Sequence, residues 1–182
     1  MKIGVLFPSR FEDPGDFLAD ARAMEAAGVD SVWMEDDGGH DPIVALAAIA
    51  AVTGRLRLGL ILPDSRPVAR GGGSGRGLKT LQHLSRQRVI TGTISLAGSP
   101  GERVITGGSS LPLAGRAGEG VIGTERWRRI EPPADREAWA TTLQQADHDT
   151  DGVIVPMDPR LLDILRHPDD AIDRPDLQLA QG

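Results

Sequence analysis

The first 96 residues alternate between two kinds of run, and that alternation leaves few folds open to the chain. "KIGVLF" (2–7) is a short β-rich run closed by Pro8, and "DPGDFLADARAMEAAG" (13–28) then carries helix signals at both ends. Asp13 suits the N-cap, Pro14 the first turn, Asp16 the positive end of the helix dipole and Gly28 the stop. Phe17, Ala21, Met24 and Gly28 fall on one face. "DSVWME" (30–35) reads as a second strand, and "HDPIVALAAIAAVTG" (40–54) as a second helix capped by Asp41 with Pro42 behind it. "LRLGLIL" (56–62), "GLKTLQHLSRQ" (77–87) and "RVITGTISL" (88–96) continue as strand, helix and strand. The order βαβαβαβ predicts a parallel sheet with right-handed crossovers, an α/β fold.

The second helix is apolar almost all round, more than packing on a sheet requires, so its outer face calls for a further cover. Beyond Leu96 the alternation stops. "RVITG" occurs at 88–92 and again at 103–107; two copies are too few for a solenoid, and the second reads as another strand in a Gly-rich stretch running to about Gly123. Regularity returns with "WRRIEPP" (127–133), a helix "DREAWATTLQQA" (135–146), a strand "DGVIVPM" (151–157) and a short helix "PRLLDILRH" (159–167). One domain over 1–167 is expected, with 97–130 as an irregular Gly-rich bridge and 168–182 as a frayed acidic tail.

Composition narrows the function classes. With 182 residues, 40% of them hydrophobic, the chain supports one core. Aromatic residues are 3% and Tyr is absent, so that core is expected to be mostly Val, Ile, Leu and Ala. A formal net charge of -6 argues against a general nucleic-acid binder. The bases cluster between 55 and 88, as Arg55, Arg57, Arg66, Arg70, Arg76, Lys79, Arg86 and Arg88 against Asp64. Without cysteine there is neither a disulfide framework nor thiolate chemistry, as is usual in a reducing compartment. The opening residues lack a leader's cleavage pattern and no apolar run reaches membrane-span length; a cytoplasmic protein with no membrane partner is expected.

The glycine-rich stretch "ARGGGSGRGLKT" (69–80) follows the third strand, where many proteins cradle a phosphate. Its spacing departs from the phosphate-binding P-loop, because Leu78 intervenes before Lys79. It reads as a surface turn, with binding of a cofactor's phosphate or tail as the alternative.

Several segments together resemble one family, the luciferase-like monooxygenases. These are "MKIGVLFP" (1–8), "AMEAAGVDSVWMED" (23–36), "DPIVALAAIAAVTGRLRLG" (41–59), "TLQHLSRQRVITG" (80–92) and, later, "DREAWATTLQQADHDTDGVIV" (135–155). They cover a little more than half of the chain. The resemblance implies a (β/α) barrel that uses FMN or the deazaflavin F420. A whole barrel takes ~250 residues, so this chain is expected to form an incomplete or shortened TIM-type barrel.

In such barrels the site lies at the C-terminal ends of the strands. The resemblance places Asp36 and Asp37 where the family has its catalytic pair after the second strand; solvated loop residues are the other reading. It places Leu60 and Ile61 at the cofactor where relatives carry a hydroxyl, and Gly92 and Thr93 there where relatives have Gly-x-Gly, with Ile94 replacing the second glycine. His40 reads as a loop or capping residue, and no metal site is expected. The implied activity is flavin- or F420-dependent oxidation or hydride transfer on a small organic substrate. The alternative is a non-catalytic truncated relative that binds flavin weakly or serves as a dimerising module. A homodimer through helices 42–53 and 78–87 is expected, with Ile43, Val44, Leu46, Ala47, Ile49, Ala50 and Val52 around the second helix and Leu81 and Leu84 on the third.

Overall fold

The computed structural model describes residues 1–62, 73–96, 103–108, 124–145 and 150–166. Its strands are β1 (Lys2–Leu6), β2 (Ser31–Glu35), β3 (Arg57–Leu62), β4 (Val89–Leu96), β5 (Arg103–Gly108), β6 (Thr124–Arg129) and β7 (Gly152–Pro156). The helices are α1 (Pro14–Ala26), α2 (Pro42–Val52), α3 (Gly73–Leu84), α4 (Arg136–Gln145) and α5 (Leu161–Arg166). The caps form as the sequence requires. The Asp13 carboxylate accepts from the N–H groups of Gly15 (2.6 Å) and Asp16 (3.2 Å), and Asp41 from those of Ile43 (2.8 Å) and Val44 (3.3 Å). Gly28 ends the first helix with φ of 81°, where a side chain would be strained.

The strands close into a barrel in chain order, β1 pairing with both β2 and β7. β1 to β4 are parallel neighbours, as the alternation predicts, and β7 joins β1 in parallel. β5 runs against both β4 and β6. The repeated "RVITG" therefore comes back on itself, with Gly92 opposite Gly107, Thr93 opposite Thr106 and Ile94 opposite Ile105. A parallel connection needs a crossover of a dozen or more residues, whereas an antiparallel one needs only a turn. Reversing one strand thus closes the barrel without a parallel crossover on either side of β5.

β5 is the strand expected at 103–107, and β6 adds a second strand within the 97–130 bridge, beginning at Thr124. Both are strands because they seat Ile105 and Trp127 inside the barrel, each fully buried. The glycine-rich stretch is corrected: α3 already starts at Gly73, so residues 73–80 are helical. Helical glycines each cost roughly 1 kcal/mol relative to alanine. Here the helix is held by Leu78 and Leu81, both buried, and Gly77 lies against α2, where a Cβ would make an ordinary contact 3.4 Å from Ile43 Cγ2. Residues 69–72 lie outside the described residues, as does the tail from 167.

Two apolar layers result. Between barrel and helices lie Val5, Val32, Met34, Leu58, Leu60, Val89, Val153 and Val155 from the outward faces of the strands, against Phe17, Met24, Leu46, Ile49, Leu81, Trp139 and Ile164 from the helices. Inside the barrel lie Leu6, Trp33, Ile61, Ile90, Ile105, Trp127 and Ile154. Both layers are mainly aliphatic, but the lumen also holds two tryptophans. Trp33 and Trp127 meet edge to face with centroids 5.3 Å apart, and strand glycines make room for them. A Cβ on Gly4 would stand 2.6 Å from Trp33 Nε1, one on Gly59 would overlap the Trp33 ring, and one on Gly152 would stand 2.5 Å from Trp127 Cζ3.

The N-terminal end of the barrel is held by charge. Glu125 accepts from Lys2 and from Arg57 (2.9 Å). Burial alone would raise the Glu125 carboxyl, but the hydrogen bonds from Arg57 and Lys2 outweigh it and hold the group below its ordinary value. Arg88 donates to the carbonyls of Ser85, Leu56, Ala50 and Thr53, tying α2, β3 and α3 together. Glu25 at the end of α1 accepts from the N–H groups of Gly54, Arg55 and Leu56. Burial raises its carboxyl, and the three backbone bonds with nearby Arg55 more than reverse that.

Candidate functional site

The strand period of two decides what the barrel offers at its C-terminal mouth. On β2, Ser31, Trp33 and Glu35 share the inward face; on β6, Glu125, Trp127 and Arg129 do. Above the two tryptophans Glu35 and Arg129 therefore meet across the lumen, with Arg129 Nη1 donating to Glu35 Oε1 at 2.7 Å. Their side chains are 24% and 26% exposed respectively. β2 and β6 are not sheet neighbours, so this pair spans the opening rather than reinforcing a strand ladder.

A cavity of about 480 Å³ opens here, lined by Leu6, Phe7, Pro8, Ser9, Arg10, Glu35, Asp37, Arg129, Pro156 and Met157. Leu6 belongs both to this lining and to the lumen cluster, so the packed lumen is the cavity's floor. The rim is stitched by main-chain bonds: Phe7 N–H donates to Trp33 O and Met157 N–H to Leu6 O, both at 2.8 Å.

The residues expected at the site are dispersed by the same alternation. Asp37 lines the cavity, exposed, accepting from the Ser9 hydroxyl at 2.9 Å and from the Gly39 N–H at 3.1 Å. The Ser9 bond, chiefly, holds its carboxyl below the ordinary value. Asp36 is half-buried and its N–H donates to Ile61 O at 3.4 Å; it is not among the cavity residues. Leu60 faces the helices, buried in the outer core, and Ile61 faces the lumen beneath the mouth. Gly92 also faces the lumen, where a Cβ would stand 2.7 Å from Ile105 Cγ2 and 3.2 Å from Trp33 Cζ3. Thr93 lies on β4 between Leu62 of β3 and Thr106 of β5.

His40 is a loop residue: its N–H donates to Ser9 O at 2.8 Å, its Nε2 lies 3.3 Å from Phe11 O, and its ring stands edge-on to Phe11. Among the described residues no cluster of three or more His, Asp or Glu side chains is placed to hold a metal ion.

The basic segment divides. Arg57 and Arg88 are engaged at the N-terminal end of the barrel, opposite the mouth, and Arg66 and Arg70 lie outside the described residues. The cations that do line the mouth are Arg10 and Arg129. Glu35 and Arg129 were legible through one signal, the polar–Trp–charged alternation shared by "SVWME" and "ERWRR". Their meeting depends on barrel closure.

No curated protein matches the chain. Among solved structures it is similar to the crystal structure of long-chain alkane monooxygenase (LadA), with 15% identity and a TM-score of 0.45 over 52% of this chain. The chain spans only 30% of that protein. The family model described as luciferase-like monooxygenase matches residues 1–100, the span that contains the parallel strands β1 to β4 and their helices. With that match over more than half of its length, the chain belongs to the luciferase-like monooxygenase family.

Proposed function

We propose that the chain binds a flavin, FMN or F420, at the C-terminal mouth of the barrel and acts as an oxidoreductase on a small organic substrate. The observation that carries this reading is the mouth cavity, at the end of the strands where barrel enzymes place their chemistry. Its volume lies in the range of small-molecule sites.

The residues present suit a flavin. Phe7, Pro8, Pro156 and Met157 offer apolar walls for a planar ring, and Arg10 and Arg129 offer cations for an anionic edge or tail. Bound flavin would supply the hydride or oxygen chemistry. The chain's own contribution is to orient and to exclude water: the tryptophan-filled lumen bars entry below Leu6, so a ligand lies on the mouth and not within the barrel. Asp37, fixed by Ser9, places a carboxylate on the rim, and Asp36 supports the end of β2 from outside the cavity.

The test is a titration of the purified chain with FMN and with F420, followed by absorption and fluorescence. Saturable binding of one, weakened in Arg129→Met, supports the reading. Failure to bind either overturns it, and binding without turnover leaves the non-catalytic relative as the function.

The same proposal includes a homodimer through α2 and α3. The exposed apolar stripe on α2 is Val44, Ala48 and Ala51, with Val44 67% exposed, and Leu84 at the end of α3 is 62% exposed. Ile43, Leu46, Ala47, Ile49, Ala50 and Leu81 instead pack within this chain. The barrel and the neighbouring helices thus cover most of α2, which narrows the expected interface to the outer stripe.

A further inference from the structure

We propose that the mouth cavity recognises an organic carboxylate, with Arg129 as its anchor and Glu35 as an internal placeholder that the ligand displaces. This deepens the reading of the mouth as a binding site and rests on it, but it does not depend on a redox cofactor.

Of the charged residues lining the cavity, Arg10 is exposed at the rim, and the other three differ in what engages them. Asp37 is fixed at the rim by Ser9 and the Gly39 N–H. Glu35 and Arg129 sit on the inward faces of β2 and β6, above the packed lumen, and meet through the single bond from Nη1 to Oε1. Because these strands are not neighbours, neither ladder needs the pair. A guanidinium is a planar fork that binds a carboxylate best through two parallel bonds, so a one-point contact at a partly open site is an exchangeable one.

The present occupant is itself a carboxylate, so a ligand carboxylate would replace like with like, while Glu35 turns to solvent. An ammonium ligand would instead have to leave the guanidinium without its partner beside the apolar floor, which is the costlier exchange. Phe7, Pro156 and Met157 supply the wall for the ligand's apolar part.

The test uses the full chain without flavin and three probes of one shape, benzoate, benzyl alcohol and benzylammonium, measured by calorimetry or ligand-observed NMR. Benzoate is expected to bind at least about tenfold more tightly than the other two, as befits a charge-assisted contact. Glu35→Gln removes the competing carboxylate and should tighten benzoate by about three- to tenfold. Arg129→Met should erase the preference. The double variant Glu35→Arg with Arg129→Glu keeps an ion pair across the mouth and should shift the preference to benzylammonium; if it does not fold, the two single variants decide. A merely structural pair would leave probe selectivity unchanged, and equal affinity for benzoate and benzyl alcohol, or a weaker benzoate complex in Glu35→Gln, would overturn the proposal. Flavin binding without benzoate selectivity defeats this inference alone, whereas loss of both defeats the mouth as a site.

Discussion

Trp33 and Trp127 fill the barrel from two strands that share no hydrogen bonds, and the Glu35–Arg129 pair sits directly above them on the same inward faces. Ordinary barrel lumens are filled by layers of branched aliphatic side chains from every strand. Here two indoles set against glycines take over much of that task, each with its N–H engaged: Trp33 Nε1 donates to Ser31 Oγ at 2.8 Å and Trp127 Nε1 to Glu125 at 3.2 Å.

Truncating either ring should therefore leave a void that the closed sheet cannot collapse into. Trp127→Ala is expected to lower unfolding stability by about 3–5 kcal/mol, read from urea denaturation. A loss under about 1 kcal/mol would mean that the lumen is not packed as described.

Gly59→Ala probes the same packing from the opposite side, since the added methyl would overlap the Trp33 ring. Overpacking of this kind costs about 1–3 kcal/mol. Gly54→Ala, where a Cβ meets nothing within 4 Å, is the control and should change the urea midpoint little.

Acid should weaken the N-terminal end of the barrel. The folded Glu125 carboxyl lies below its ordinary value of 4.5, so its contribution is fully present above that value and is lost as pH falls through the folded one. Glu25 acts in the same direction. Urea midpoints measured from pH 7 down to pH 3 should fall in the parent chain and fall less steeply in Glu125→Gln. An unchanged slope would show that Glu125 titrates normally in the folded state.

The proposed dimer is tested on the stripe that the fold leaves uncovered. Val44→Glu or Leu84→Glu should convert a dimer mass into a monomer mass in light scattering, with circular dichroism unchanged. A parent chain that is monomeric at tens of micromolar would remove the proposal. Ala47→Glu would be a poor probe, because Ala47 packs against the chain's own core and its replacement disturbs folding as well.

The sequence alone determined the local structure of the first half. Aspartate caps, Pro14 and Pro42 at helix starts, Gly28 at a stop and short β-rich runs are signals that act within a few residues, and β1 to β4 with their helices follow from them. It also carried the family, through "DSVWMED" and "PIVALAAIAAVTGRLRLG". What it left open was set by long-range pairing. Whether the barrel closes, that β5 runs backwards, and that α3 begins within the glycines are decided by which strands and helices find each other, because antiparallel return and burial of Leu78 and Leu81 outweigh local preference. The placement of the candidate residues follows for the same reason. Leu60 faces the helices and Asp36 lies outside the cavity lining, while Glu35 and Arg129, 94 residues apart, meet only once the barrel is closed. Side-chain alternation fixes which face a residue takes, and only closure decides that this face is the inside.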